Sequence, residues 1–154
     1  MSGGTLGSPT DPLLAAGPAI ARTIELAASL AVLTARVAGR ADLAERGRSL
    51  ARAARPLAEA DAAAYSDYLR TRSEEDRVRT IDLPLQMAGL AAQTAEVAAD
   101  AAEAAQGAVG GDARVAALLA EAAARAAALL VRMNGGGDAA EGSSARAARA
   151  AARV

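Results

Sequence analysis

Apolar positions recur along this chain with the period of helices and not with the two-residue alternation of strands. From about Pro18 to Ala38, Ile20, Ile24, Leu26, Leu30, Val32, Leu33 and Val37 spread over much of the circumference. Arg22, Glu25, Ser29 and Arg36 keep one narrow polar stripe. So wide an apolar arc predicts a helix buried on more than one side. A second helical region runs from Ala41 to about Thr71, and Pro56 is expected to kink or split it. Ser73-Glu74-Glu75-Asp76 reads as a capped helix start with acids in its first turn. The helix it opens meets Pro84, which predicts a kink or interruption. Beyond Pro84, Gln86, Gln93, Glu96, Asp100 and Glu103 share one face, read as wet surface, and Gly107 to Gly111 ends the helix.

The last long helix begins with Asp112, as N-cap or in the first turn. Val115, Leu118, Leu119, Ala122, Ala126, Leu129, Leu130 and Met133 form a regular stripe, with Arg114, Glu121, Arg125 and Arg132 beside it. Ala116, Ala117, Ala120, Ala123, Ala124, Ala127 and Ala128 fill the remaining side. Small side chains admit a close neighbour, so this helix is expected to touch others on two sides, at a bundle centre or a dimer seam. Asn134-Gly135 is a C-cap signal. The chain thus divides into a disordered segment at 1–10, a helical domain at 11–134 and a flexible Gly/Ala/Arg tail at 135–154. In that tail Arg146, Arg149 and Arg153 could line one face of a short helix.

Composition supports an all-α class: a multi-helix bundle of four to five main helices. Alanine dominates, and Tyr65 and Tyr68 are the sole aromatics. The formal net charge of −1 gives no global field for nucleic acid, and no nucleic-acid or membrane partner is expected. The longest uncharged helical run, Leu26 to Ala35, is too short to span a bilayer, and the N-terminus lacks the basic-then-apolar form of a signal peptide. A soluble cytoplasmic protein is the expectation. Without Cys, His or Lys, the chain cannot use a thiolate nucleophile, a Ser-His-Asp triad, a Schiff base or imidazole and thiolate metal ligation. No metal and no covalently bound cofactor is expected. Proton transfer falls to Asp, Glu, Tyr or bound water.

Asp61 and Tyr65 are four residues apart on one helix face, an acid beside one of the two aromatics. The bland reading is a surface carboxylate beside an interfacial tyrosine. Asp112 reads equally as a plain helix start, Asn134 as a cap, Gly17-Pro18 as a helix opening, and Arg132 as part of a solvated face.

Pro84-Leu85, Gly110-Gly111-Asp112 and Val131-Arg132-Met133-Asn134, with Asp61-Ala-Ala-Ala-Tyr65 and Ala35-Arg36-Val37, occur in an order and spacing that resemble the folate-dependent cyclodeaminase/cyclohydrolase family. That family includes the C-terminal domain of formiminotransferase-cyclodeaminase and methenyltetrahydrofolate cyclohydrolases. The likeness spans roughly Leu14 to Asn134. It implies a helical homodimer with a folate pocket near or between subunits, and C–N bond chemistry at the one-carbon bridge of a tetrahydrofolate substrate. It points to Asp61 and Asp112 for catalysis and to Gly17, Tyr65, Arg132 and Asn134 for substrate binding. Three departures stand out. Ala15-Ala16-Gly17-Pro18 replaces a glycine-rich loop, Leu130 replaces an Asn, and the stretch from Asp61 to Pro84 is short. These raise the alternative of a catalytically inactive relative that binds a ligand or a partner as a helical dimer.

Overall fold

The computed structural model describes residues 15–154. The expected disordered segment at 1–10 and the Asp11-Pro12 helix start lie outside the described residues. Among the described residues the fold is an all-α bundle: α1 (Ala16–Val37), α2 (Ala41–Ala54), α3 (Leu57–Thr71), α4 (Glu74–Ala104), a 3-10 turn (Gly107–Gly110), α5 (Gly111–Met133) and α6 (Glu141–Ala151). Pro56 splits the second helical region, since it cannot donate to the ladder and its ring crowds the preceding turn. Ser73 caps α4 by accepting from the Asp76 N–H at 3.1 Å, with Glu74, Glu75 and Asp76 in the first turn.

α1, α4 and α5 form a central triangle in which each packs on the other two. α2 and α3 lie along the groove between α1 and α4, and α6 lies along the groove between α4 and α5. The Arg146–Glu96 and Arg153–Glu103 pairs both span 50 residues, so α6 runs parallel to α4. Val37 and Ala38 sit with Ala104, Gln106 and Val109 at one end of the bundle, which makes α1 antiparallel to α5.

The triangle closes on alanine. On α5 the buried residues are Ala113, Ala116, Ala117, Ala120, Ala123, Ala124, Ala127 and Ala128 together with Val131, and on α4 they include Ala88, Ala91, Ala92, Ala95, Ala98 and Ala99. Of the two faces that α5 was expected to pack, the alanine face does so within the chain. The Leu/Val stripe does so only along one edge, at Leu119, Ala126 and Leu130, while Val115, Leu118, Leu129 and Met133 are 50 to 70% exposed. Methyl side chains bring helix axes to the short end of the ~8–10 Å range, and the larger side chains are left outside that close contact.

Three further expectations change. Pro84 neither ends nor interrupts α4, which is one helix of 31 residues. Residues 135–154, expected as a flexible tail, contain α6, whose Ala147 and Ala150 are buried. Its arginines clamp a face expected to be solvated: Arg146 binds Glu96 and Arg153 binds Asp100 and Glu103. α6 forms because its alanines extend the core while its basic stripe meets the acidic stripe of α4. α1 also has the length of a bilayer span, with an 18-residue window of mean hydropathy 1.3. Its buried face is packed against α2, α3, α4 and α5.

Candidate functional site

α1 opens at Ala16 without a side-chain cap, so its first-turn N–H groups face its N-terminal end unpaired by the helix. Gly17 is the second residue of that turn, and Pro18, fully buried, has no N–H to lose there. α3 passes beside this turn. A Cβ added to Gly17 would overlap the Asp61 carboxylate, with Oδ1 at 2.9 Å and the other carboxylate atoms closer still. The glycine that remains of the expected loop is therefore the one on which a carboxylate rests. Any other residue would push Asp61 away from the helix terminus.

Asp61 is half-buried, and among the described residues no arginine pairs with it. Burial holds its carboxyl above the usual carboxylate range. The positive end of α1 acts in the other direction, but loss of hydration dominates. A carboxyl with a raised pKa in a partly open position can hold a proton and release it to a neighbour, as a general acid or base requires. Tyr65, one turn further along α3, is exposed on the same side of that helix. Tyr68 is engaged by the Arg72 guanidinium 5.4 Å from its ring centroid. Gly17 and Asp61 are thus brought together, with Tyr65 one turn along α3 from the acid.

Asn134 does a different job. In an uninterrupted helix the Thr80 carbonyl would accept from the N–H four residues on, but that residue is Pro84. The Asn134 side-chain amide crosses from the end of α5 and donates to the Thr80 carbonyl at 2.7 Å. Asn134 can reach because α5 ends there in a Schellman turn. Gly135 takes φ +92 and donates to Arg132 O, while the Gly136 N–H donates to Val131 O. The Pro84–Asn134 spacing noted in the sequence is, in this structure, a hydrogen-bond repair between two helices. Sequence reasoning missed this, although the missing N–H at Pro84 and an amide-bearing residue at the helix end were both visible.

Arg132 is ion-paired with Glu141 at the start of α6. It lines an open cleft of about 440 Å³ with Arg125, Leu129 and Ser144. α3 and α6 do not touch, so this cleft and the Gly17–Asp61–Tyr65 cluster lie in different grooves. Asp112 lies in the first turn of α5, exposed, and does not cap it: the cap position is Gly110 and has no side chain to accept. Asp112 is 22 residues from Asn134 along one helix, ~33 Å at 1.5 Å per residue. Within one chain, Asp61, Asp112 and Asn134 therefore do not line a common cavity. Among the described residues no group of three acids is placed to hold a metal ion.

The chain matches no curated protein. The formiminotransferase-cyclodeaminase family model matches residues 15–152. That match runs through α6, beyond the stretch over which the sequence motifs are recognisable. It covers the described bundle almost from end to end, and on that basis the chain belongs to the formiminotransferase-cyclodeaminase family.

Proposed function

We propose that this protein works in folate one-carbon metabolism, on the C–N bonds at the N5–C10 bridge of a tetrahydrofolate. Asp61 is its proton-transfer group. The observation that carries the proposal is the Asp61 carboxyl, set against Gly17 at the start of α1 with its pKa raised by burial. In the cyclodeaminase direction, N10 attacks the formimino carbon on N5 and the amino group leaves as ammonia. The proton lost from N10 has to reach the departing nitrogen. In the cyclohydrolase direction, water adds to the 5,10-methenyl carbon, a proton is lost, and the C–N5 bond opens to give the 10-formyl product. One carboxyl that alternates between protonated and ionised forms serves either sequence. In this reading Tyr65 offers an aromatic face to the pterin and Asn134 a second amide partner, whereas Arg132, in the cleft beside α6 and paired with Glu141, has no place beside Asp61 in a single chain. The protein acts in the cytoplasm with no metal or bound cofactor. Asp112 has no place beside Asp61 in a single chain.

A second reading has a specific observation in its favour. Asp112 lies at the far end of α5 from Asn134, and Ala15-Ala16 stand where the family's glycines would be. A relative that binds a folate without turning it over fits both facts. Two assays separate the readings. Loss of 5,10-methenyltetrahydrofolate absorbance and release of ammonia from 5-formiminotetrahydrofolate are followed with the full chain and with Asp61→Asn. Turnover lost in Asp61→Asn supports the enzyme. Calorimetric binding without turnover supports the second reading, and neither turnover nor binding removes both.

A further inference from the structure

α6 is joined to the bundle through Gly135-Gly136-Gly137. Gly136 is fixed. Its N–H donates to Val131 O at 2.8 Å, and a Cβ there would stand 2.6 Å from Ile81 Cγ2. Gly137 is the opposite case: it takes φ +59, and nothing lies within 4 Å of where a Cβ would be. Beyond it, α6 packs on α4 and α5 alone among the described helices.

Little apolar surface holds it there. From Asp138 to Val154 the buried residues are Ala140, Ala147 and Ala150, so no buried side chain exceeds a methyl. The triangle beneath also buries Ile24, Met87, Val97 and Val131. Apolar adhesion scales with the area covered, and a methyl covers little. Charge supplies the rest. Arg146 grips Glu96 with both edges of its guanidinium, Nε to Oε1 at 3.1 Å and Nη2 to Oε2 at 2.9 Å. Arg153 grips Glu103 in the same way, at 2.9 and 2.8 Å, and reaches Asp100 Oδ1 at 2.8 Å. Arg132 holds Glu141 at the start of the helix. Two-point pairs of this kind are the firmer sort of ion pair. Their carboxylates are still 31 to 53% exposed, so salt screens them.

We propose that α6 is a charge-latched strap, closed over the α4/α5 groove by these ion pairs and able to swing away about Gly137 as a unit while the rest of the bundle stays folded. The inference rests on α6 alone and stands whether or not the folate reading holds. Opening uncovers three methyls and leaves α1, α4 and α5 in mutual contact. A helix of 11 residues is too short to keep its own hydrogen-bond ladder once undocked. Opening and loss of amide protection in α6 are therefore one event. The open form bares Glu96, Asp100 and Glu103 on α4 and removes one wall of the cleft beside Arg125 and Arg132. Elements that move in regulation are drawn from such weakly held units.

Amide hydrogen exchange of the full chain, read by mass spectrometry, tests this from ~0.01 M to ~1 M sodium chloride, over which the screening length falls from ~30 Å to ~3 Å. Amides from Ala145 to Ala151 are expected to exchange together, roughly tenfold or more faster than those of α5. High salt is expected to speed α6 several-fold further and to leave α5, the internal reference, unchanged. Arg146→Gln combined with Arg153→Gln is expected to bring α6 to its high-salt rate at every salt concentration. Arg149→Gln is expected to change nothing, because Arg149 pairs with no carboxylate among the described residues. Should the double variant lose its helical circular dichroism, Glu96→Gln replaces it, with the same direction expected. Exchange of α6 at the rate of α5 overturns the proposal. So does exchange in α6 that salt leaves unchanged, or an effect of Arg149→Gln equal to that of the double variant.

Discussion

Replacing Asn134 by alanine isolates one interhelical hydrogen bond whose need arises from a single covalent fact. Pro84 has no N–H, so the Thr80 carbonyl has no partner from its own helix, and the Asn134 amide takes the vacancy at 2.7 Å. Thr80 is 5% exposed, so water cannot readily replace the lost donor. A buried carbonyl left unpaired costs ~1–3 kcal/mol, and Asn134→Ala is expected to lower the unfolding free energy by that amount. The informative measurement is a double-mutant cycle with Pro84→Ala, read by urea unfolding followed by circular dichroism. Alanine at position 84 restores the helix's own donor to Thr80, so Asn134→Ala should cost well under ~1 kcal/mol in that background. The coupling energy is then ~1–2 kcal/mol, in the range of residues that share a hydrogen-bond network. Pro84→Ala alone mixes a gain of ~3 kcal/mol in helix propensity with the loss of buried ring carbons, and the cycle cancels both. Equal costs of Asn134→Ala in the two backgrounds would refute the reasoning, because Asn134 would then be doing something unrelated to Pro84.

Other substitutions probe the Asp61 cluster and the core. Gly17→Ala forces a methyl into the space of the Asp61 carboxylate. It is expected to destabilise by ~1–3 kcal/mol, much of which Asp61→Ala should restore in thermal unfolding; a neutral Gly17→Ala would mean that the carboxylate moves freely. Burial raises the Asp61 pKa in the folded state above the unfolded value of ~3.9. Its favourable contribution is complete below that unfolded value and is lost as pH rises through the folded pKa, where the ionised carboxylate bears the desolvation. The stability of the wild type relative to Asp61→Asn should therefore fall on going from acidic to neutral pH, and a flat difference would contradict the assignment. The Thr34 hydroxyl is buried, with no hydrogen-bond partner among the described residues. Thr34→Val keeps the shape and removes that polar atom, so a gain of ~1 kcal/mol is expected from urea unfolding; a loss would indicate an ordered partner for the hydroxyl.

The extents of α1, α2, α3 and α5, the split at Pro56, the Ser73 cap and the Gly135 stop were legible in the sequence because each rests on local chemistry, whereas α6 and the continuity of α4 through Pro84 depend on packing. Which face of a helix points inward was not. On α5 the wheel offered a Leu/Val stripe and an alanine face, both apolar, and periodicity cannot rank two apolar faces. Size would suggest leucine inside, since each buried leucine gains more than an alanine. The bundle does the opposite because the triangle needs α5 to approach α1 and α4 together, and alanine on all three helices permits close approach on both flanks at once. Leu26 and Leu33 of α1 and Leu118 and Leu129 of α5 are then left half-exposed, while Leu30, Leu119 and Leu130 pack on the rim of the core. The same limit applies to the site. Asp61 and Tyr65 could be paired from their spacing on one helix, and the structure adds the glycine terminus that holds the acid. Pro84 and Asn134 stood out in the sequence as matched positions, and matched positions suggest a shared ligand. The structure gives them a shared hydrogen bond instead, and a proline in mid-helix requires such a partner whether or not chemistry takes place nearby. Of the candidate residues, Asn134 therefore has an ample structural reason to be where it is, whereas the half-buried Asp61 carboxyl has no cation beside it among the described residues, and the functional question falls on Asp61.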